Sequence, residues 1–130
     1  MNRILVWALL GLCIALSGCR TTIPMPDYGQ QTIANYGQTQ PDINQIEQSI
    51  IKAAVSLGWQ AHVVDAGKVE ATLNIRTHQL VVMITYDETH YKIDYVDSTN
   101  LKYDGKSIHR QYANWVRNLM NRINANNVRS

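Results

Sequence analysis

Val69-Glu70-Ala71-Thr72-Leu73-Asn74-Ile75-Arg76 decides the fold. Apolar residues at 69, 71, 73 and 75 alternate with polar ones at 70, 72, 74 and 76. Side chains of a strand point to opposite faces in turn, so this period of two describes a strand with one buried face. After a tight turn around Thr77-His78, pairing Ile75 with Leu80, a second run continues that face through Leu80, Val82, Ile84 and Tyr86. The loop Asp87-Glu88-Thr89-His90 leads to Tyr91, Ile93 and Tyr95 on the same face. On the N-terminal side, Trp59 to Val64 makes the first strand of the series. Its inward parity (Trp59, Ala61, Val63) survives the connection only if a bulge forms there with Gly67 at positive φ.

Helical periods flank the strands. Ile43, Ile46, Ile50, Ala54 and Leu57 recur at three and four residues and form one apolar stripe. Asp42 and Gln45 have capping-box spacing, and Gly58 suits the left-handed position after the last turn. A second helix is expected from a cap near Ser107, with Ile108, Tyr112, Trp115, Leu119 and Ile123 as its stripe. The predicted fold class is α+β: helix, four-stranded antiparallel β-meander, helix, with both helices on one sheet face. The domain is expected over 42–125, with 126–130 as a frayed tail and 97–106 as a loop or a strand end with a turn.

The chain begins with Asn2 and Arg3, then an apolar run from Ile4 to Ala15. As a helix that run is ~18 Å long, short of the ~30 Å hydrocarbon core. A basic start, a short apolar core and small residues describe a secretory signal. Leu16-Ser17-Gly18-Cys19 resembles the bacterial lipoprotein lipobox. The resemblance implies cleavage after Gly18, a diacylglyceryl thioether on Cys19 and acylation (palmitate) of the new N-terminus. Residues 1–18 are then signal peptide. Multiple acyl chains anchor stably, where one does not. By resemblance to enterobacterial lipoprotein sorting, where an Asp after the cysteine favours inner-membrane retention, Arg20 at that position implies the outer membrane, facing the periplasm. Residues 19–41 are polar, aperiodic and rich in Gly and Pro, and read as a lipidated N-terminus and flexible tether reaching roughly 25 Å. Tyr28 and Tyr36 are residues through which the tether could dock back on the domain.

Further residues carry a second resemblance: Gly58-Trp59, Gly67, Ala71-Thr72-Leu73, Arg76-x-His78 and Tyr91-x-Ile93-x-Tyr95. It continues through Ser98-x-Asn100-Leu101-x-Tyr103, Ile108-His109, Tyr112, Asn114-Trp115 and Asn118-Leu119. Over about residues 43 to 123 the chain resembles small proteobacterial lipoproteins of unknown function. That resemblance implies a compact α+β periplasmic domain and supplies no activity, cofactor or partner.

The formal net charge is +2, and Cys13 and Cys19 are the two cysteines. Cys13 leaves with the signal and Cys19 takes lipid, so no disulfide is expected. Near neutrality and a periplasmic address argue against nucleic acid. After Asp104 no acidic residue follows, whereas Lys106, Arg110, Arg117, Arg122 and Arg129 do. Such a segment suits anionic headgroups or a solvated helix face. His62, His78, His90 and His109 lack ligand spacing, no GxSxG occurs, and Asp87-Glu88 and Asp94/Asp97 suit turns and solvent. No metal, cofactor or catalytic activity is therefore expected.

Two surfaces are candidates. The outer sheet face carries Arg76, Val81, Met83, Lys92 and Val96, and suits a partner protein of the envelope. The segment with Ser98, Asn100, Tyr103, His109, Arg110 and Tyr112 suits a small ligand, a glycan or an anionic lipid. An enzyme assembled from His78, His109 and carboxylates is a third, weaker expectation.

Overall fold

The computed structural model describes residues 20–34 and 40–129. The signal segment, Cys19, Tyr36 and Ser130 lie outside them. In chain order the elements are β1 (Thr22–Pro24), β2 (Gln31–Thr32), α1 (Ile43–Ser56) and β3 (Gln60–Asp65). Then follow β4 (Lys68–Ile75), β5 (His78–Tyr86), β6 (His90–Thr99), β7 (Ser107–His109) and α2 (Gln111–Arg129). The class is α+β, as the periodicities require. The sheet has five strands rather than four, in the order β2-β6-β5-β4-β3, all antiparallel. A second, two-stranded sheet joins β1 to β7.

The alternation places one face in the core. Val69, Ala71, Leu80, Val82 and Ile84 are fully buried, and Leu73, Tyr86, Tyr91 and Ile93 nearly so. Both helices close over this face and share its core through Ile46, Ile50, Val116, Leu119 and Ile123. Two tyrosines fasten the layers together. The Tyr86 hydroxyl donates to Glu47 of α1 at 2.9 Å, and Tyr91, its cross-strand neighbour, donates to Asn124 of α2 at 2.7 Å. Burial pushes the Tyr91 hydroxyl up to about 12, so it remains a neutral donor.

The expected bulge is present. Val63 pairs with Val69 and Asp65 with Lys68, which leaves Val64 unpaired, and Gly67 sits at φ +72°. A Cβ on Gly67 would lie 3.0 Å from the Tyr86 carbonyl oxygen, so a glycine suits both the dihedral and the space. The next turn differs from expectation. Ile75 pairs with His78 and Leu73 with Leu80, around a two-residue turn Arg76-Thr77 with Arg76 at φ +55°. A second bulge lies between the partners of Val81 and Val82 and leaves Val96 out of the ladder. It resets parity, so Ser98 opposes the buried Leu80.

The capping box of α1 is as read: Gln45 N–H donates to Asp42 at 2.8 Å, and Asp42 N–H to Gln45 at 3.0 Å. Gly58 takes φ +90° beyond the last turn. The second helix begins later than expected. Ser107 and Ile108 belong to β7, because residues 107–109 pair with 22–24. With the start moved, the buried stripe of α2 becomes Tyr112, Val116, Leu119 and Ile123, and Trp115 is only partly buried. The helix runs on to Arg129 rather than fraying at 126, and Asn126 reaches the Ser49 carbonyl of α1 at 3.5 Å.

The largest departure concerns the stretch read as a tether. Ile33 is 5% exposed in the core, and its N–H donates to the Thr89 carbonyl at 2.8 Å. Met25 N–H donates to the Lys106 carbonyl at 2.8 Å, and Ile23, Met25 and Tyr28 pack on the core. Residues 20–34 are thus a strap laid along the domain. Strands of two and three residues carry no readable alternation. What orders them is unpaired backbone along the outer edge of β6 and along β7, which the sequence does not display.

Candidate functional site

The segment between β6 and α2 is shaped by its backbone. Asn100 and Lys102 take left-handed φ values of 59° and 54°, around a fully buried Leu101. Asp104 then makes a tight turn, accepting from the N–H groups of Lys106 at 2.9 Å and Ser107 at 2.7 Å. Those bonds hold its carboxyl below the usual carboxylate range. His109 N–H donates to the Leu101 carbonyl at 2.8 Å, which brings β7 and the start of α2 beside the β4–β5 turn.

At that meeting point two histidines come together. The rings of His78 and His109 are 6.1 Å apart, and the His78 ring is 6.1 Å from Trp115. His78 Nδ1 lies 2.7 Å from the Asn100 carbonyl oxygen and donates its N–H to it. The Gln111 N–H donates to His109 Nδ1 at 3.1 Å, so the neutral His109 ring carries its proton on Nε2. Burial first, and then neighbouring His78, Lys102 and Arg110, hold His109 below its ordinary value. The cluster therefore presents the His109 Nε2–H donor beside two cations, Lys102 and Arg110, and that combination suits an anion. Among the described residues no three His, Cys, Asp or Glu side chains converge as a metal site.

The candidates of the 98–112 surface divide. Asn100 is spent on the fold, its side chain donating to Thr77 at 2.7 Å and its carbonyl holding His78. Ser98 shares a hydrogen bond of 2.7 Å with the Tyr95 hydroxyl. Tyr112 is 2% exposed and lies edge-on to Tyr95 at 6.2 Å. Burial, and then Tyr28, Asp94, Asp27 and Tyr95, push its hydroxyl upward. Tyr103 stacks on Tyr95 at 4.4 Å and is still 41% exposed. His109, Arg110 and Tyr103 remain accessible, and His78, Lys102 and Trp115 join them. Lys102 lies within the 98–103 segment of that candidate surface, whereas His78 stands 24 and more positions away from Lys102 and His109 and was legible only as a scattered polar residue.

On the outer sheet face, Val81 and Met83 of β5 are half-buried and Val96 is exposed in the bulge of β6. Lys92 pairs with Asp94 at 3.4 Å on the same face. Arg76 does not belong to this face. It sits in the β4–β5 turn, two residues before His78. An open depression of 680 Å³ lies beside α1, lined by Asp42, Gln45, Gln48, Ser49, Lys52 and Asn126 among others, and holds no cluster of charges.

His109 yields a pH prediction. Its folded value lies below its unfolded one, so its neutral form is favoured by folding. That stability is fully present above about pH 6.5 and is lost as pH falls through the folded value. Protonation of Nδ1 also removes the acceptor for Gln111 N–H. The urea midpoint of the protein is expected to fall between pH 7 and 5, with a shallower fall in His109→Asn, which can still accept from that N–H. Equal slopes would assign the pH dependence elsewhere.

No family model, curated protein or solved structure matches the chain.

Proposed function

We propose that the protein is a lipid-anchored, non-enzymatic module of the bacterial cell envelope. It is held through Cys19 on the outer membrane, faces the periplasm, and docks another envelope protein on the open face of its sheet. The address rests on Leu16-Ser17-Gly18-Cys19 and the apolar run before it. No helix among the described residues is long and apolar enough to cross a membrane. The observation that carries the docking surface is the apolar strip Val81, Met83 and Val96, on the face opposite both helices. A sheet face in water has no need of it, and a flat apolar strip rimmed by Glu70, Lys92 and Asp97 resembles the core and rim of a protein interface.

Photo-crosslinking in intact cells from positions 81 and 83 tests this reading. A discrete protein adduct is expected from both, and none from exposed Val55 of α1. Met83→Lys is expected to abolish the adduct from position 81 while changing stability by less than about 1 kcal/mol, since the side chain is only half-buried. Loss of folding in that variant, or adducts alike from 55 and 83, would remove the docking reading. The second reading, a small ligand, glycan or anionic lipid at the 98–112 surface, is favoured by the cluster of His78, His109, Lys102 and Arg110.

A further inference from the structure

We infer that the end of the domain bearing Lys102, His109, Arg110, His78 and Trp115 is a headgroup-facing surface, seated on anionic phospholipid at the membrane that holds the anchor. This rests on the lipid-anchored reading of Cys19 and deepens the second reading of the 98–112 surface.

Chain geometry carries the inference. The Arg110 N–H donates to the Thr21 carbonyl at 2.9 Å, and Thr22 pairs with His109. Lys102 Nζ donates to Thr21 Oγ1 at 3.2 Å. A residue of extended chain spans at most ~3.6 Å, so Cys19 lies within about 7 Å of Thr21 in any conformation. A glyceryl thioether on Cys19 has its acyl chains in the bilayer, so the thiol carbon is at headgroup depth. The strap therefore brings Arg110, Lys102 and His109 to the headgroups. A 22-residue coil would have left the domain roughly 25 Å away and free to turn.

The charge at this end is complementary to that position. Arg20, Lys102 and Arg110 are exposed cations, and Arg76 follows in the adjacent turn. The acidic residue in the same loop, Asp104, already accepts two backbone N–H groups. The charged and titratable neighbours that act on His109 are His78, Lys102 and Arg110. Half-buried Trp115 and exposed Tyr103 supply the amphipathic aromatics that favour the interface between water and hydrocarbon. Each cation near an anionic surface strengthens binding by about five-fold, an attraction that salt screens.

The test uses the full lipidated protein in nanodiscs that contain a gadolinium-chelating lipid, with either 30% phosphatidylglycerol or phosphatidylcholine alone. Amide resonances of Lys102 and of His109 to Gln111 are expected to broaden most in the anionic discs. Those of Ala66 and Gly67, at the other end of β4, are expected to broaden least. Lys102→Gln with Arg110→Gln, or 0.5 M NaCl, should abolish the contrast while the protein stays on the disc. Broadening that is uniform along the chain, or equal in both disc types, overturns the inference. Mass analysis of the Cys19 peptide separates the two readings. If no lipid is found there, the anchor reading fails. Flotation of the acyl-free chain with phosphatidylglycerol vesicles then tests the surface alone: the double variant should bind about 25-fold more weakly, and no preference over phosphatidylcholine refutes it.

Discussion

Ile84→Ala is expected to lower the free energy of unfolding by about 2–5 kcal/mol. Ile84 is fully buried in β5, the middle strand of the sheet, with Val69 and Ile93 as its cross-strand neighbours. Both flanking strands hold their backbones through the ladder, so neither side chain can move in to fill the space. The loss therefore includes the hydration of the missing carbons and the cavity they leave. For a domain of this size a loss of about 3 kcal/mol corresponds to roughly 12–24 °C in melting temperature. Met83→Ala is the matched control, one position earlier on the same strand and on the opposite face. It should cost under about 1.5 kcal/mol. Urea and thermal unfolding of the two variants check both figures, and equal losses would mean that the faces are assigned the wrong way round.

Ile33→Asp is expected to release the first part of the chain from the domain. Ile33 is 5% exposed, and burial of such a side chain contributes about 1.5–3 kcal/mol. Ile33 belongs to the apolar core, and leaving a carboxylate buried there would cost more than the contact provides. Undocking of β2 is therefore the lower-energy response, and the measured loss levels off at the docking free energy of that segment. The readouts are local. The Ile33 amide should lose its exchange protection, because its bond to the Thr89 carbonyl opens, and protease should cut between 25 and 42. The pairing of β1 with β7 should persist, since three residues there make their own ladder. If residues 20–34 were a loose tether, the substitution would change neither exchange nor cleavage.

Much of the sheet was legible because alternation is a local property. Val69 to Ile75 alternate cleanly, and a strand with that pattern has one way to bury it. The parity conflict between Trp59–Val63 and Val69–Ile75 was itself informative: a side chain cannot change face without an extra residue, so the bulge near Gly67 follows. The bulge at Val96 left no such mark, because Tyr95, Val96 and Ser98 fit either register. The start of α2 was misplaced for a different reason. Ser107 has the chemistry of a cap, but it lies in β7 opposite Pro24 with its backbone N–H and carbonyl both bonded to Asp104, and His109 supplies the acceptor for Gln111 instead.

The functional surfaces divide along the same line. The outer positions of β5 follow from parity, so Val81 and Met83 could be named in advance. The cluster at the other site could not, because His78 and His109 meet only once β4, β5, β6 and the strap have closed. The sequence by itself determined the α+β class, the buried face of the central strands, the capped first helix and the expectation of lipid on Cys19. Each of these is written in spacing or in a contiguous motif. Only the tertiary structure decided that Thr22–Pro24 and Gln31–Thr32 are strands and that Asn100 and Tyr112 serve the fold. It alone brought His78, His109, Lys102 and Arg110 to the place where the strap leaves the domain. The reason is physical: a short strand is stabilised by the strand it pairs with, and that partner belongs to residues about 60 and 85 positions further along the chain.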